Sequence, residues 1–385
     1  MADLYIGLMS GTSLDGVDAV LLEMSGAQCR VLAHSYQPFN PGLRQELLRL
    51  NTPGSNELHR AARAANQLVL AYADLVRHLM SCAGLKPHQV RAIGAHGQTV
   101  RHHPQALDEA AAPDVLSEIP TPGYTLQLNN PALLAELTGI TVVADFRSRD
   151  VAAGGQGAPL VPAFHLAMFG RRHEAVAVLN LGGMANISLL APTDDTPSQV
   201  MGFDCGPGNV LMDLWCQQTL GQAYDAGGAW AATGSVNAAL LSHLLDEPFF
   251  ALPAPKSTGR DLFSEAWLNQ KLTRFQQLSP ADVQATLAQL TAHTCAQSLA
   301  TSNMQFAAML VCGGGALNPY LINLLQNCLP KMQVISTESV GLPPMQVEAA
   351  AFAWLASKTL AGESGNVPGV TGARGARVLG AIYPA

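Results

Sequence analysis

Blocks of apolar residues alternate along the chain with glycine-rich and polar segments, and their spacing predicts strands and helices in a fixed order. Short apolar runs predict three consecutive strands over residues 4–10, 18–24 and 30–38. Apolar residues at helical spacing then predict a long helix over residues 55–83, and Gly84 follows its end. Strands and helices that alternate in this way are typical of an α/β fold.

The predicted order occurs twice. The other elements predicted for the first half are a helix over 41–50, strands over 90–95 and 125–128, a helix over 131–138 and a strand over 141–144. Those of the second half are strands over 175–181, 186–190, 200–203, 308–312 and 333–336, and helices over 210–220, 236–245, 265–275, 280–302, 319–328 and 347–360. The repeat predicts two similar α/β domains with a ligand cleft between them. We place the domains at residues 1–130 and 131–385, with the C-terminal segment either in the second domain or packed back on the first.

Composition restricts the class of protein. With 385 residues, 48% hydrophobic and 13% charged, the chain is expected to be packed and globular. A net charge of −7 and the lack of basic runs argue against a nucleic-acid or anionic-membrane partner. The sequence contains no signal peptide or membrane-spanning run, and its 7 cysteines are scattered, which predicts a cytoplasmic protein with reduced thiols. Residues 104–123, rich in proline and alanine, predict a surface loop without an assigned role.

The first two predicted strands are joined by a small, hydroxyl-rich turn. Gly11 and Gly16 permit positive φ and close backbone approach there. The neighbouring hydroxyls and exposed N–H groups suit an anion, most often a phosphate. An ordinary tight hairpin explains the same residues equally well. The residues of this candidate phosphate site are Gly11, Thr12, Ser13, Leu14, Asp15, Gly16, Val17 and Asp18.

Two further glycine turns follow predicted strands in the second half. One again joins two strands, so that it and the opening turn would grip a phosphate chain from opposite sides. The other joins a strand to a helix, where the backbone can lie flat against a planar ligand and the helix N-terminus favours an anion. Plain tight turns are the alternative for both. The residues concerned are Asn180, Gly182, Gly183, Gly313, Gly314, Gly315 and Asn318.

Polar side chains at predicted strand ends are candidates for chemistry. Asp204 precedes a Gly-Pro-Gly turn and suits a general base, although a turn-forming role explains it as well. His96 and Gln98 follow a strand end, where ligand loops gather in α/β sheets, with a histidine satisfied within its own loop as the alternative.

A second group of charged residues is open to two explanations. Arg147 and Arg149 are suited to binding a carboxylate, or to forming a structural network with Asp145 and Asp150. Glu348 stands at the start of an apolar helix, where a carboxylate also favours the helix dipole. Three common signatures are missing from the sequence: a Walker A loop, an H-E-x-x-H metal site and a complete serine elbow.

Two motifs carry a specific resemblance. GLMSGTSLDG at residues 7–16, together with GFDCGPGN at residues 202–209, resembles the anhydro-N-acetylmuramic acid kinase family, within the acetate and sugar kinase, Hsp70 and actin superfamily. The resemblance covers essentially the whole chain. It implies duplicated RNase H-like domains of the actin and hexokinase type, each a mixed sheet with flanking helices, with ATP and a sugar in the cleft between them.

The resemblance also implies a reaction. Water would open the ring of 1,6-anhydro-N-acetylmuramic acid, and ATP would phosphorylate the freed O6, giving N-acetylmuramic acid 6-phosphate in cell-wall recycling. Asp204 would be the base that activates the water, and Glu348 would help to position it. The candidates for holding the sugar and its lactyl carboxylate are His96, Gln98, Arg147 and Arg149.

Mg²⁺ is the metal that the resemblance implies, but its ligands stay open. Many superfamily members carry an aspartate where this chain has Met9, so Asp15, Asp18 and Asp204 are the candidates. Whether the chain forms a homodimer is also open. The alternatives to the implied function are another small-sugar kinase of the same fold and a non-catalytic ATP-binding module.

Overall fold

The computed structural model describes residues 2–11, 13–26, 28–104, 122–194, 199–254, 256–260 and 262–385. Thr12 and most of the segment at 104–123 lie outside these ranges. The strands are β1 Asp3–Met9, β2 Gly16–Ser25, β3 Gln28–Pro38, β4 Val90–Ala95, β5 Gln98–His103, β6 Tyr124–Leu128, β7 Val142–Ala144, β8 Ala175–Leu181, β9 Met184–Leu190, β10 Val200–Pro207, β11 Phe306–Cys312, β12 Gln333–Ser336 and β13 Ala381–Tyr383. The helices are α1 Pro41–Arg49, α2 Glu57–Ala83, α3 Pro131–Thr138, α4 Ser148–Ala152, α5 Val161–Phe169, α6 Val210–Leu220, α7 Ala238–Leu245, α8 Pro248–Ala251, α9 Glu265–Leu272, α10 Pro280–Gln297, α11 Pro319–Cys328, α12 Val347–Leu360 and α13 Pro368–Thr371.

The chain divides into two compact units, of which the first combines the residues up to Met168 with Gln346–Ala385. Its main sheet has the strand order β13-β7-β4-β1-β2-β3. β1, β2 and β3 form an antiparallel meander, and β4 runs parallel to β1. Alternate residues of these strands, such as Ile6 and Leu8, pack with α2 in a continuous apolar core. A side chain of this size contributes about 1.5–3 kcal/mol on burial.

α12 covers the opposite face of the first sheet at very short range. Gly7 and Gly94 are neighbours across β1 and β4. A Cβ atom on Gly7 would lie 1.8 Å from the carbonyl oxygen of Ala349, and one on Gly94 would lie 2.0 Å from that of Phe352. Only glycine therefore fits at either position. The contact brings the first turn of α12, with Glu348, to the edge of the sheet where β1 and β4 end.

The second unit, Phe169–Met345, repeats this architecture. Its sheet has the order β10-β9-β8-β11-β12. β8, β9 and β10 form an antiparallel meander, and β11 and β12 continue the sheet in parallel with β8. Without β13, the first sheet has the same order and the same strand directions. The duplicated α/β architecture of the RNase H-like type predicted from the sequence is thus confirmed.

The predicted boundary at residue 130 differs from the division into units. β7 comes after that residue and yet pairs with β4 in the first sheet. The C-terminal segment lies in the first unit, where it supplies α12 and the edge strand β13, which pairs with β7. Sequence order could not show this, because β13 is only 3 residues long and pairs with a strand more than 200 residues earlier.

Among the described residues, no helix is both long enough and apolar enough to span a membrane.

Candidate functional site

In the first unit, three polar loops meet where β1, β4 and β7 end. The Ser10 hydroxyl donates to the Gly97 carbonyl at 3.0 Å and lies 2.9 Å from the Tyr72 hydroxyl. The amide nitrogen Nε2 of Gln98 donates to the Gly11 carbonyl at 3.1 Å. These contacts fix the turn after β1 against the loop after β4. The Gln98 amide oxygen is buried and has no hydrogen-bond partner in the described part of the chain, so it is available to accept from a ligand.

The turn after β1 differs from the prediction in where its backbone is strained. Positive φ falls on Leu14, at 57°, and on neither Gly11 nor Gly16. Gly16 is needed instead for close approach, since a Cβ there would lie 2.4 Å from the Gln37 carbonyl oxygen. A Cβ on Gly11 would meet only the Ser13 hydroxyl, at 3.7 Å. The backbone at Gly11 is therefore not crowded by the described residues.

The carboxylates of this turn form polar contacts, whereas its apolar side chains are buried in the core. One oxygen of the exposed Asp15 accepts from the Ser13 hydroxyl at 2.7 Å and from the Gly16 N–H at 3.0 Å. Asp18 pairs with His34 at 2.8 Å on the neighbouring strand. Leu14 and Val17 are core residues, so only their backbone groups could face a phosphate.

His96 and Arg147 form one hydrogen-bonded pair. Nε and Nη2 of Arg147 donate to Nε2 of His96 at 3.1 and 2.9 Å, and Nη1 donates to the Gly157 carbonyl at 2.7 Å. Because arginine offers only donors, Nε2 must accept, and the network assigns the histidine proton to Nδ1. Nδ1 is buried and has no hydrogen-bond partner among the described residues, and the imidazole packs on Phe352 at 4.6 Å between ring centroids.

Burial and charge keep this histidine neutral. Burial lowers the pKa of His96 well below 6.5, and the positive charge of Arg147 lowers it further. Burial also lowers the pKa of Arg147 to about 10, while the nearby carboxylates of Glu348 and Asp150 oppose that change. His96 therefore serves as a neutral Nδ1–H donor at physiological pH.

Arg147 and Arg149 have different surroundings in the structure. No ion pair joins Arg147 or Arg149 to Asp145 or Asp150 within the described ranges, so the alternative of an ion-pair network among these four residues is not formed. Arg147 lies at the site, with Glu348 close enough to act on its charge. Arg149 lies on α4 with its side chain exposed. The geometry supports Arg147 and not Arg149 as the organised cation.

In the second unit, the two glycine turns are joined by asparagines. The Asn209 side-chain amide donates to the carbonyls of Leu181 and Gly182 at 2.9 and 3.1 Å. Asn180 is buried with its side-chain oxygen unpartnered among the described atoms, and a Cβ on Gly313 would lie 2.4 Å from that oxygen. The turn after β8 and the turn after β11 are therefore packed side by side.

The glycines of these turns differ in whether backbone conformation or close packing requires glycine. Gly313 has a φ of 79°, a left-handed conformation that favours glycine, and a Cβ on Gly315 would lie 2.6 Å from the side chain of Leu181. By contrast, a Cβ on Gly183 would meet no atom of the described residues within 4 Å. A Cβ on Gly314 would meet only Asn209, at 3.9 Å. Gly183 and Gly314 thus expose open backbone.

Asn318 has a structural role in addition to the predicted one. Its side-chain oxygen caps α11 by accepting from the Leu321 N–H at 3.1 Å.

Asp204 lies near the end of β10, on the face of the sheet opposite the apolar core. Its oxygen Oδ2 accepts from the backbone N–H of Thr258 at 2.9 Å, and its own N–H donates to the Lys256 carbonyl at 3.0 Å. Burial raises the pKa of Asp204 to about 6, and the Thr258 N–H lowers it only in part. A carboxylate with this pKa is ionised at neutral pH and can still accept a proton.

Strand register places two asparagines beside this carboxylate. Asp204 pairs with Asn186 on β9, and Asn186 pairs with Asn180 on β8. Their neighbours Phe203, Ile187 and Leu179 point into the core. The three polar side chains therefore form a row across one face of the sheet.

Four residues of the second unit were not predicted from the sequence as parts of a site: Asn186, Asn209, Thr258 and Asp213. Asn186 acquires its place from strand register and Thr258 from loop packing, which no local pattern shows. Asp213 lies in the first turn of α6, where burial raises its pKa to about 7 and Arg260 opposes that rise. The signal for Asn209 was present, since it directly follows the Gly-Pro-Gly turn.

The described residues contain no group of three or more metal-ligating side chains. Of the three candidates, Asp15 is exposed beside the first turn with one carboxylate oxygen engaged. Asp18 and Asp204 each hold a partner already.

Comparison with known proteins agrees with the two sequence motifs. The sequence profile of the anhydro-N-acetylmuramic acid kinase family matches residues 3–385. The chain is 58% identical to the anhydro-N-acetylmuramic acid kinase of Albidiferax ferrireducens, with 100% of both chains covered. It is 56% identical to that of Variovorax paradoxus, with 100% of this chain and 99% of the relative covered. Among solved structures, the activator of the 2-hydroxyisocaproyl-CoA dehydratase from Clostridium difficile matches with a TM-score of 0.44 at 10% identity, over 92% of this chain and 93% of that one. The full-length matches in sequence show that the chain belongs to the anhydro-N-acetylmuramic acid kinase family.

Proposed function

We propose that the protein opens 1,6-anhydro-N-acetylmuramic acid with water and phosphorylates the freed O6 from ATP, as a step of cell-wall recycling. The observation that carries this proposal is Asp204, a half-buried carboxylate with a raised pKa that is held by a backbone N–H. Family membership supplies the substrate. Because the reaction consumes ATP, we place the protein in the cytoplasm.

Asp204 acts as the general base. The Thr258 N–H occupies Oδ2, and Oδ1 has no hydrogen-bond partner among the described residues, so Oδ1 is the oxygen that takes a proton from water. The water oxygen bonds to C1, the C1–O6 bond breaks, and O6 attacks the γ-phosphorus as ADP leaves. The proton stays on Asp204 until product release. A second carboxylate, Glu348, positions the water.

The glycine turns bind the nucleotide through their backbones. Open backbone at Gly11, Gly183 and Gly314 lets N–H groups approach phosphate oxygens or the adenine plane without a side chain in between. Phosphoryl transfer depends mainly on such positioning and on neutralising charge. We assign to the other predicted residues of these three turns the role of holding the turn backbone in position.

The sugar is held by the polar group at the end of β4. The neutral imidazole of His96 donates from Nδ1, and the buried Gln98 amide oxygen accepts from a sugar hydroxyl. Arg147 has used three of its five donors on His96 and Gly157, which leaves two for the lactyl carboxylate. Arg149 is a weaker candidate because its side chain is exposed.

Mg²⁺ would be bound in this arrangement mainly by phosphate oxygens of the nucleotide. It usually keeps several waters and takes one or two carboxylates plus phosphate oxygens, so a cluster of three protein ligands is not required. Asp15 is the residue we assign to it, because it is exposed at the first turn. Bound there, Mg²⁺ would neutralise phosphate charge.

The test is ADP release from ATP and Mg²⁺ with and without 1,6-anhydro-N-acetylmuramic acid, in the native chain and in Asp204→Asn. We expect sugar-dependent ADP release that falls by about 10²–10⁴-fold in the variant. Release with plain hexoses but not with the anhydro sugar would instead support another small-sugar kinase. Nucleotide binding without any sugar-stimulated turnover would support a non-catalytic ATP-binding module.

A further inference from the structure

The glycine-rich loop at 154–157 is held in place by a buried carboxylate. Asp150 is fully buried, and its Oδ2 accepts from the Gly157 N–H at 2.8 Å. A Cβ on Gly155 would lie 2.2 Å from the same oxygen, so the loop packs directly on the carboxylate. The backbone N–H of Gln156 donates to the Thr371 carbonyl at 2.7 Å. The loop therefore has a defined position.

The C-terminal segment supplies the remaining hydrogen bonds to this carboxylate. Oδ1 of Asp150 accepts from the Asn366 side-chain amide at 2.6 Å and from the Thr371 hydroxyl at 2.8 Å. Asn366 is itself fixed, because its side-chain oxygen accepts from the Arg377 N–H at 2.7 Å. A buried carboxylate needs such donors, since an unpaired buried charge is strongly unfavourable. Residues more than 200 positions away thus set the orientation of Asp150.

The fixed position of the loop in turn fixes the side chain of Arg147. The Gly157 N–H is held by Asp150, and the Gly157 carbonyl accepts from Nη1 of Arg147. The other side of the guanidinium is bound to His96. The guanidinium is consequently held between two fixed acceptors, and its plane depends on where Gly157 lies.

We propose that Asp150, Asn366 and Thr371 form a positioning clamp that fixes Arg147 against His96 through Gly157 and thereby sets affinity for the sugar. The part of this inference that concerns the sugar rests on the proposed function. The clamp residues touch no reacting atom. Their effect is on the direction of the donors that Arg147 presents.

Thr371→Val tests the clamp because it removes one donor and keeps the shape of the side chain. We expect the KM for the anhydro sugar to rise about tenfold, as for loss of one hydrogen bond to a charged group, with kcat and the KM for ATP changed by less than about twofold. Thr371→Ser restores the hydroxyl and should restore the native KM. Asn366→Ser removes a second donor and should act in the same direction if Thr371→Val folds poorly.

Thr138→Val is the matched control. Thr138 is also a buried threonine of the first unit, but its hydroxyl donates to the Leu134 carbonyl at 2.7 Å, outside the clamp. This variant should leave the sugar KM unchanged. An equal rise of the sugar KM in Thr138→Val would show a general packing effect and overturn the proposal.

A double-mutant test asks whether the clamp acts through the arginine. In an Arg147→Lys background, Thr371→Val should change the sugar KM by less than about twofold, because the guanidinium it positions is gone. A full tenfold rise in that background would overturn the proposal. So would an unchanged sugar KM in folded Thr371→Val, provided that Arg147→Lys itself raises it.

The imidazole ¹⁵N resonances of His96 give a readout that does not depend on turnover. Thr371→Val should move them, whereas Thr371→Ser and Thr138→Val should not. If Arg147→Lys leaves the sugar KM unchanged, the sugar assignment in the proposed function fails, and the resonances still test the clamp. Unmoved His96 resonances in Thr371→Val would refute it.

Discussion

Replacing Asp204 by asparagine should stabilise the protein while it greatly reduces activity. In the folded state burial raises the pKa of this carboxyl from 3.8 to about 6, because the charged form has lost hydration that one N–H from Thr258 does not replace. Asparagine has nearly the same shape, and its side-chain oxygen can still accept from Thr258. The substitution therefore removes an unfavourable buried charge without creating a cavity.

The magnitude follows from the pKa. A pKa raised from 3.8 to about 6 corresponds to up to about 3 kcal/mol of destabilisation once the carboxyl is ionised in both states. Between these pH values the folded state binds more protons than the unfolded state, so the free energy of unfolding falls as pH rises. The penalty is absent below about pH 4 and complete above about pH 6. Asp204→Asn should remove this dependence.

The assay is thermal unfolding of native protein and Asp204→Asn at pH 4 and at pH 7.5. At pH 7.5 the variant should melt several degrees higher, at about 2–4 °C per kcal/mol for a unit of this size, and at pH 4 the two should agree. Asp246→Asn, at an exposed aspartate, is the control and should melt with the native chain at both pH values. A variant less stable than native protein at pH 7.5 would refute the raised pKa of Asp204. It would also refute the assignment of Asp204 as a base that can accept a proton near neutral pH.

Four further predictions follow from the same geometry. The kcat/KM for the sugar should fall about tenfold per pH unit below about pH 6, as Asp204 takes up a proton, and a profile flat down to pH 5 would exclude it as the base. His96 should stay neutral in an NMR titration from pH 8 to pH 5.5, whereas in Arg147→Ala its pKa should rise because the neighbouring positive charge is removed. Gly7→Ala should destabilise the protein by about 3 kcal/mol or more in urea unfolding, since its methyl group would overlap the backbone of α12; native-like stability would contradict that contact. Gly183→Ala should leave the unfolding curve unchanged, because none of the described atoms lies within 4 Å of the added Cβ, but should raise the KM for ATP; an unchanged KM would exclude this backbone from nucleotide binding.

The sequence predicted regular elements well where hydrophobic periodicity and end signals agree. The bounds of β4, α6 and α12 are those expected from the pattern. The predicted helix at 280–302 ends earlier, at Gln297, and continues as a short 3₁₀ turn. Short elements such as β13 and α4 were missed, because 3 or 5 residues carry no measurable periodicity.

The site was predictable as a set of strand ends but not as a set of contacts. The ends of parallel strands share one edge of a sheet, so the grouping of Gly11 with the loop at 96–98 could be foreseen. The pairing of Arg147 with His96, in place of a pairing with aspartate, depends on the position of Gly157. That position depends in turn on the C-terminal segment. Such long-range dependence leaves no local sequence signal.

In the proposed reaction, water activated by Asp204 attacks C1 while O6 takes the phosphoryl group. Turnover in H₂¹⁸O, with rapid quenching and mass spectrometry of the product fragments, tests it directly. A control in which unlabelled product is incubated in H₂¹⁸O for the same time corrects for exchange at C1. We expect one ¹⁸O in each product molecule, at C1, and none in the phosphate. Product without ¹⁸O at C1, or with ¹⁸O in the phosphate, would contradict it.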